Sequence, residues 1–383
     1  MRKTIRLVLA SIILPVLGSC IPKDELSPIT VPTSSPSQPI SSSPTVTPIS
    51  SSIRISHESI FLGTDSGEYV IYDMLKQEAY GVTFPGKCRI ARLNQTAVCR
   101  TERGLEAIDL VTGDWTVLPI ENPSWWSLTT GDRSIYYASE EGEDLWSLHR
   151  FDWGQVVGEF LATISPDGWS IFPKISDHGR VIVGTRYGDT LNRLYEITLD
   201  GNYQRFGPDI TAGITDLSWS PAGELLGLGA TDISYDEPGF CNTTVFLVYV
   251  VSTGQIKQVA RAPEGTCYAY FQTETSNIWS PDGTMVALIP SNRYVVANQE
   301  FCILNVEPGT QHCIPGVHDN EWISRVAWSP DSRYLAYIVE NRDMANDQAL
   351  WIISIDGSSR WSLLEDLSLS GDITDLVWID PKP

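Results

Sequence analysis

Trp328-Ser329-Pro330-Asp331-Ser332 decides the fold when it is read beside Trp279-Ser280-Pro281-Asp282-Gly283 and Trp219-Ser220-Pro221-Ala222-Gly223. A last copy, Trp378-Ile379-Asp380-Pro381, stops near the C-terminus. The tryptophans are 60, 49 and 50 residues apart. Working outward from Trp328, residues 325–328 read as a short strand, and 329–332 as a tight turn in which Pro330 pre-sets φ. Residues 334–339 are an apolar, β-branched second strand. Residues 349–355 form a third, Asp356-Gly357 turns the chain, and 361–364 return as a fourth. Four antiparallel strands joined by tight turns make one blade, and repetition at this period makes a β-propeller.

The same pattern runs backwards with decreasing clarity. Blades follow Trp219 and Trp279, and earlier ones are entered near Phe172, Trp126 and Cys88, with Ser59 to Asp73 supplying the first pair of strands. The expected fold class is therefore all-β: a β-propeller of seven four-stranded blades, with six and eight as the neighbouring alternatives. The strand at 373–378 has no blade of its own. Ring closure removes exposed sheet edges, so this strand is expected to supply the innermost position of the first blade. In blade four, Ser165-Pro166-Asp167-Gly168 and Ser176-Asp177-His178-Gly179 both resemble the turn. The second fits better, because a strand-like Val181-Ile182-Val183 follows it.

The W-S-P-D-G signature followed by a short apolar strand, at 279–289 and 328–339, is similar to the TolB-type (WD-like) propeller repeat. The likeness is specific over the C-terminal half and diffuse before residue 210. It implies a ring whose channel or loop face binds proteins, peptides or small ligands, and it implies no one activity. TolB carries an additional N-terminal α/β domain; here only a tether is expected before the blades.

The N-terminus reads as a secretory signal. Arg2, Lys3 and Arg6 precede an apolar core from Leu7 to Leu17, too short to span a bilayer. Leu17-Gly18-Ser19-Cys20 resembles a bacterial lipobox, with Cys20 as the lipidated residue. An ordinary signal peptide with a chance cysteine is the plainer alternative. The expected domains are a lipoprotein signal peptide at 1–19, a tether at 20–52 and the propeller at 53–383. Residues 21–52 are mainly Ser, Thr, Pro and Ile, with charges only at Lys23, Asp24 and Glu25, and lack the material for a core. The expected location is extracytoplasmic, held to the membrane through the lipid anchor, since two chains anchor stably where one does not.

Seven cysteines leave six once Cys20 is set aside, an even number suited to an oxidising compartment. Cys88 and Cys99, Cys241 and Cys267, and Cys302 and Cys313 each flank a turn-like centre. Each pair is expected to bridge an antiparallel hairpin. A zinc site is the alternative, without a C-x2-C pair to support it. The formal charge is −21, and loss of the three basic signal residues makes it about −24. Nucleic acid is thus not the expected partner, and a basic protein or peptide is.

No nucleophile elbow, zinc-binding H-E-x-x-H, phosphate loop or dinucleotide fingerprint occurs in the chain. No catalytic residue and no cofactor are expected, with calcium the one conceivable exception, near Asp232, Asp236 and Glu237, whose spacing matches no EF-hand. The segments after second and fourth strands are long, at 231–242, 263–276, 290–300, 315–324 and 340–348. Long loops on a rigid scaffold carry binding. Their aromatic and acidic residues point to Tyr235, Asp236, Tyr294, Asp319, Trp322 and Asp343, with Trp125 and Trp126 entering from the same face. Rings beside carboxylates suit a basic peptide or a sugar. A solvated acidic rim, with aromatics packed between blades, is the plainer alternative. The expected function is a protein- or peptide-binding module at the cell envelope. The alternatives are a glycan-active hydrolase or lyase using acidic residues at the channel mouth, and a purely structural envelope protein.

Overall fold

The computed structural model describes residues 55–381 apart from short stretches, most of them connections. These are 65–66, 85, 92–94, 122, 124, 129–133, 143–144, 153–154, 165–168, 177–179, 188–190, 199–201, 211–212, 232–244, 263–266, 269–277, 292–299, 316–320, 342–347 and 365–372. The expected signal peptide, Cys20 and the tether therefore lie outside the described residues, as does Cys241.

The chain forms seven small antiparallel sheets in a ring. Blade one takes Ile373–Ile379 as its innermost strand, then Ser59–Thr64, Glu68–Asp73 and Glu78–Thr83. The C-terminal strand thus closes the ring, as the orphan tryptophan at 378 implied. Blade two is Lys87–Ala91, Thr96–Thr101, Gly104–Asp109 and Trp115–Val117. Blade three is Trp125–Leu128, Ser134–Gly142, Leu145–Asp152 and Glu159–Ile164. Blade four is Trp169–Ile175, Val181–Tyr187, Leu191–Ile197 and Tyr203–Ile210. Its first turn joins Ile175 to Val181, where Ser176 and Arg180 hydrogen-bond each other, so the second candidate turn is the one used.

Blade five is Gly213–Trp219, Leu225–Thr231, Val245–Val250 and Gln255–Arg261. Among the described residues blade six has three strands, Met285–Leu288, Glu300–Asn305 and Thr310–Pro315, and its innermost place is taken by Trp279, bridged to Val286. A short pair, Cys267–Tyr268 with Pro290–Ser291, continues it. Blade seven is Glu321–Trp328, Tyr334–Asn341, Gln348–Ser354 and Arg360–Leu364.

Strand period and ring closure together dictate the core. Alternate side chains point to opposite sides of each sheet, so every blade has two apolar sides to cover. Seven buried clusters result, each shared by two successive blades. The one shared by blades seven and one joins Ile338 and Leu350 to Leu62, Leu376 and Trp378. There are as many interfaces as blades, which is what a closed ring requires. The four repeat tryptophans are core: Trp219, Trp279, Trp328 and Trp378 are all buried. No helix long and apolar enough to cross a membrane occurs among the described residues.

Candidate binding face

The two faces of the ring are built by different chemistry. On one face, serine organises the turn after each of the last three innermost strands that precede a second strand. The Ser329 N–H donates to Tyr334 O at 2.9 Å, and Tyr334 N–H donates back to the Ser329 hydroxyl at 2.9 Å. That hydroxyl in turn donates to Asp331 Oδ1 at 2.6 Å. Ser280 repeats all three bonds with Met285 and Asp282, and Ser220 repeats the first two with Leu225. The fourth turn residue sits at positive φ: 67° at Gly223, 72° at Gly283 and 60° at Ser332. Serine, proline and a left-handed residue are thus each needed at their places.

The tryptophans before the last two of these turns fasten their blades to the previous ones. Trp328 Nε1 donates to Ile278 O at 2.9 Å, and Trp279 Nε1 donates to Ser218 O at 3.1 Å. Trp378 donates instead to the Glu58 carboxylate at 2.6 Å. The entering chain reaches the ring on this same face. Ile55 N–H donates to Leu110 O, Met74 N–H to Glu58 O, and Gln95 Nε2 to Asp380 O.

Innermost strands start on the other face. There, Ile214-Thr215-Asp216, Ile323-Ser324-Arg325 and Ile373-Thr374-Asp375 share one irregularity: the middle residue is unpaired, a β-bulge at the same place in three blades. Bulges bend a strand and re-aim the side chains beside them. Arg325 Nε reaches Thr374 O across to blade one at 3.3 Å, and its NH1 bonds Ser324 O at 2.6 Å.

Charge is buried among the inner strands. The Arg89 guanidinium donates to Trp126 O and lies 4.6 Å over the Trp126 ring, so blade two holds blade three by a hydrogen bond and a cation–π contact. Burial pushes Arg89 down to about 10, and the Asp375 carboxylate pulls it back up. Asp375 is itself buried and accepts from the Thr374 hydroxyl. Tyr69 is pushed up to about 12 by burial, against its backbone bonds to Cys88. These groups are locked into the wall of the ring.

Connections on the long-loop face are unequal. After second strands, residues 232–244, 289–299 and 342–347 link blades five, six and seven, where residues 65–67, 102–103, 143–144 and 188–190 suffice in blades one to four. Between blades, 262–278 and 365–372 are the longest links, followed by 118–124 and 316–320, and of the segments over blades five to seven all but 289–299 carry acids, from Asp232 and Asp236 to Asp343 and Asp372.

Trp322 stands at the start of the innermost strand of blade seven, at this face, and is 41% exposed. Trp126 also starts an innermost strand, but its ring is buried under Arg89 in the cluster of blades two and three. Trp125 precedes it on the same strand. Tyr235, Asp236, Tyr294, Asp319 and Asp343 lie outside the described residues, as does the calcium candidate around Asp232, Asp236 and Glu237. Sequence reading missed Arg89, Asp375 and Arg325. For Asp375 and Arg325 the recurrent Ile-Ser/Thr-Asp/Arg before Trp219, Trp328 and Trp378 was the available signal.

Among the described residues two of the three expected disulfides are formed; the third involves Cys241, which lies outside them. Cys88 and Cys99 are register partners on the first two strands of blade two, and Cys302 and Cys313 on the last two of blade six. Cys267 sits in the short pair beside blade six. The one metal-like grouping among the described residues is Glu300 with Cys302 and Cys313. Both sulfurs are tied in a disulfide, so no thiolate is left to ligate.

Fold and strand order define a seven-bladed β-propeller with a serine-built turn face and an acidic, long-loop face. No protein-family model matches the chain, and no curated protein matches it. Its fold is shared with solved structures. A functionally unknown protein from Desulfotomaculum acetoxidans superposes with a TM-score of 0.55 at 13% identity, covering 85% of this chain and 100% of that one. Oligogalacturonate lyase from Vibrio parahaemolyticus gives 0.54 at 13% identity, over 83% and 88%. TolB from Acinetobacter baumannii gives 0.44 at 16% identity, over 81% and 79%. At these identities the likeness is one of fold alone.

Proposed function

We propose that this protein is a lipid-anchored, extracytoplasmic propeller that binds a protein or peptide with basic character through its long-loop face. The observation that carries this reading is the asymmetry of that face: the connections from second to third strands are long only in blades five to seven, and those of blades five and seven are acidic, above a scaffold whose opposite face is fixed by repeated turn chemistry. Loops elaborated on a rigid frame are the usual seat of recognition. The exposed indole of Trp322 at their base is the kind of anchor that interfaces use. Disulfides Cys88–Cys99 and Cys302–Cys313 support an oxidising compartment, and the basic, apolar N-terminus ending in Leu17-Gly18-Ser19-Cys20 supports export and acylation. A net charge of −21 supports a basic partner over nucleic acid.

The test replaces residues 232–240, 292–299 and 342–347 with two- to three-residue links of the kind blades one to four use, keeping Cys241. Affinity capture from intact envelopes then compares this variant with the unaltered chain. Loss of captured partners with an unchanged melting temperature is expected. An unchanged set of partners overturns the proposal, and turnover of an oligosaccharide panel would replace it with a glycan-active enzyme.

A further inference from the structure

The turn face is not uniform around the ring. In each blade the third-to-fourth turn lies at the same end as the first-to-second turn, because successive antiparallel strands reverse direction. In blade one Asp73 ends the third strand, and its Oδ1 accepts the N–H groups of Leu75 at 3.0 Å and Lys76 at 2.9 Å. In blade two Asp109 does the same for Val111 at 2.8 Å and Thr112 at 2.9 Å. Both turns close on a residue at positive φ, Gln77 and Gly113. Each is thus a fixed loop that holds up one aliphatic side chain two residues past its aspartate. Leu75 is 71% exposed and Val111 40%. The turn of blade three presents two more, Val156 at 81% and Val157 at 72%.

The opposite sector fills the same position with polar residues. Two places past the end of the third strand stand Ser252 in blade five, Glu307 in blade six and Asp356 in blade seven, all exposed. The turn of blade four, 199–201, lies outside the described residues. Behind the apolar tips, Trp115 and Phe160 are exposed near the start of the outermost strands of blades two and three. Single exposed aliphatic residues need no reason, but the same turn repeated on neighbouring blades and confined to one sector does. The chain enters the ring within this sector: the Ile55 N–H donates to Leu110 O, beside Val111.

We propose that the turns of blades one to three rest on a lipid bilayer, with Leu75, Val111, Val156 and Val157 inserted at the headgroup boundary. The proposal rests on the anchored reading above and adds which part of the ring meets the membrane. A chain anchored before residue 55 brings the turn of blade two to the surface first. The tips stand on three blades and have exposed polar neighbours in their own turns. A rigid partner must match each tip with its own pocket, whereas a fluid bilayer closes around all of them. Trp115 has the ring type that settles at a membrane–water boundary. The carboxylates of Glu307 and Asp356 are costly to take out of water, so the ring tilts, with blades five to seven raised. Their long connections then point away from the membrane, where a partner reaches them. With a chain charge of −21, apolar insertion and not charge supplies the attraction, so the fitting surface is zwitterionic.

The test holds the full chain on phosphatidylcholine vesicles by its own acylated Cys20 or, if Cys20 carries no acyl chain, by an N-terminal hexahistidine on a nickel-chelating lipid. Docking is thereby read whether or not the acylation reading holds. The vesicles contain phosphatidylcholine with a photoactivatable diazirine in its acyl chain, and adducts are mapped by mass spectrometry. Adducts in 74–77, 110–117 and 155–160 are expected to be several-fold richer than in 252–254, 307–309 and 356–358. Replacing Leu75, Val111, Val156 and Val157 together by serine should abolish that excess and leave the melting temperature unchanged, since all four side chains are exposed. An even spread of adducts around the face, or an excess that survives the four serines, overturns the proposal. Absence of adducts from these turns also overturns it, and crosslinking of the same turns to envelope proteins instead would assign the sector to a protein partner. Recognition by the long-loop face is left to the loop-replacement test in every case.

Discussion

Blades five to seven and blades one to four solve the same problem by different means. Every innermost strand must be held at both ends, or the ring opens along its channel. In blades five to seven the turn after that strand is self-sufficient: Ser220, Ser280 and Ser329 each close it through backbone and hydroxyl bonds. Indole bonds from Trp279 and Trp328 then fasten blade to blade. Blade two has no Ser-Pro turn. Its innermost strand is held by the Cys88–Cys99 bridge, by Tyr69 bonded to both the N–H and the carbonyl of Cys88, and by Arg89 capping Trp126. A strand secured by its own turn leaves its other end free to vary. The long connections between second and third strands accordingly occur in blades five to seven.

This comparison can be broken most severely at the indole staples. Trp328→Ala removes a fully buried ring and its bond to Ile278 O, and should cost about 3–5 kcal/mol in denaturant unfolding. Trp328→Phe keeps most of the packing and removes only the indole bond, since Ile278 O still accepts from the Ala287 N–H, and should cost about 0.5–1.5 kcal/mol. If both cost under about 1 kcal/mol, the staples do not hold the late blades together.

The bridge of blade two should come next. Loss of a crosslink closing eleven residues of chain costs about 3 kcal/mol, so Cys88→Ala with Cys99→Ala should approach the tryptophan variant. The corresponding pair in blade six spans the same separation on outer strands. Because Cys313 is exposed while Cys88 and Cys99 are fully buried, mild reductant should open Cys302–Cys313 first, as thiol mapping would show. Prior opening of Cys88–Cys99 would mean that blade two is the looser part.

Acid gives the smallest and most even effect. Burial works against the charge of Asp73 and Asp282, yet hydrogen bonds outweigh it and hold both carboxyls below the usual range. Asp73 has the Lys76 N–H, His57 and the Lys76 ammonium; Asp282 has Ser280 and Thr284. A carboxyl whose folded pKa is depressed stabilises fully above its unfolded value. It loses that contribution as pH falls through the folded one. Melting temperature should therefore hold steady down to about pH 4 and fall below it. Asp73→Asn and Asp282→Asn should each flatten that limb, by on the order of 0.5 kcal/mol after solvent screening. A larger effect at Asp73 alone would locate the acid-sensitive part in blade one.

How legible all this was depended on the range of the interaction. Pro281 and Pro330 mark their turns because proline and the residues around it act within four positions. Cys88 with Cys99, and Cys302 with Cys313, could be paired because a hairpin sets partners symmetrically about its turn. Trp126 could not be placed by inspection. Whether a ring beside a turn faces solvent or core depends on strand parity, and Arg89, 37 residues away, covers it. Trp322 was harder still. The bulge at Ser324 shifts which side of the blade the strand's first residues face, and nothing local in Ile323-Ser324-Arg325 announces a lost pairing.

By itself, then, the sequence determined the blade: its period, its turns, its cross-strand disulfides, and the return of the Trp378 strand to a chain start that lacked an inner strand. These follow from backbone geometry and residue type within one hairpin or one repeat. Only the tertiary structure decided which side chains meet across blades. It buried Trp126, exposed Trp322 and turned Arg325 toward Thr374. Those outcomes depend on register, on bulges and on the approach of neighbouring blades, which a linear pattern does not carry.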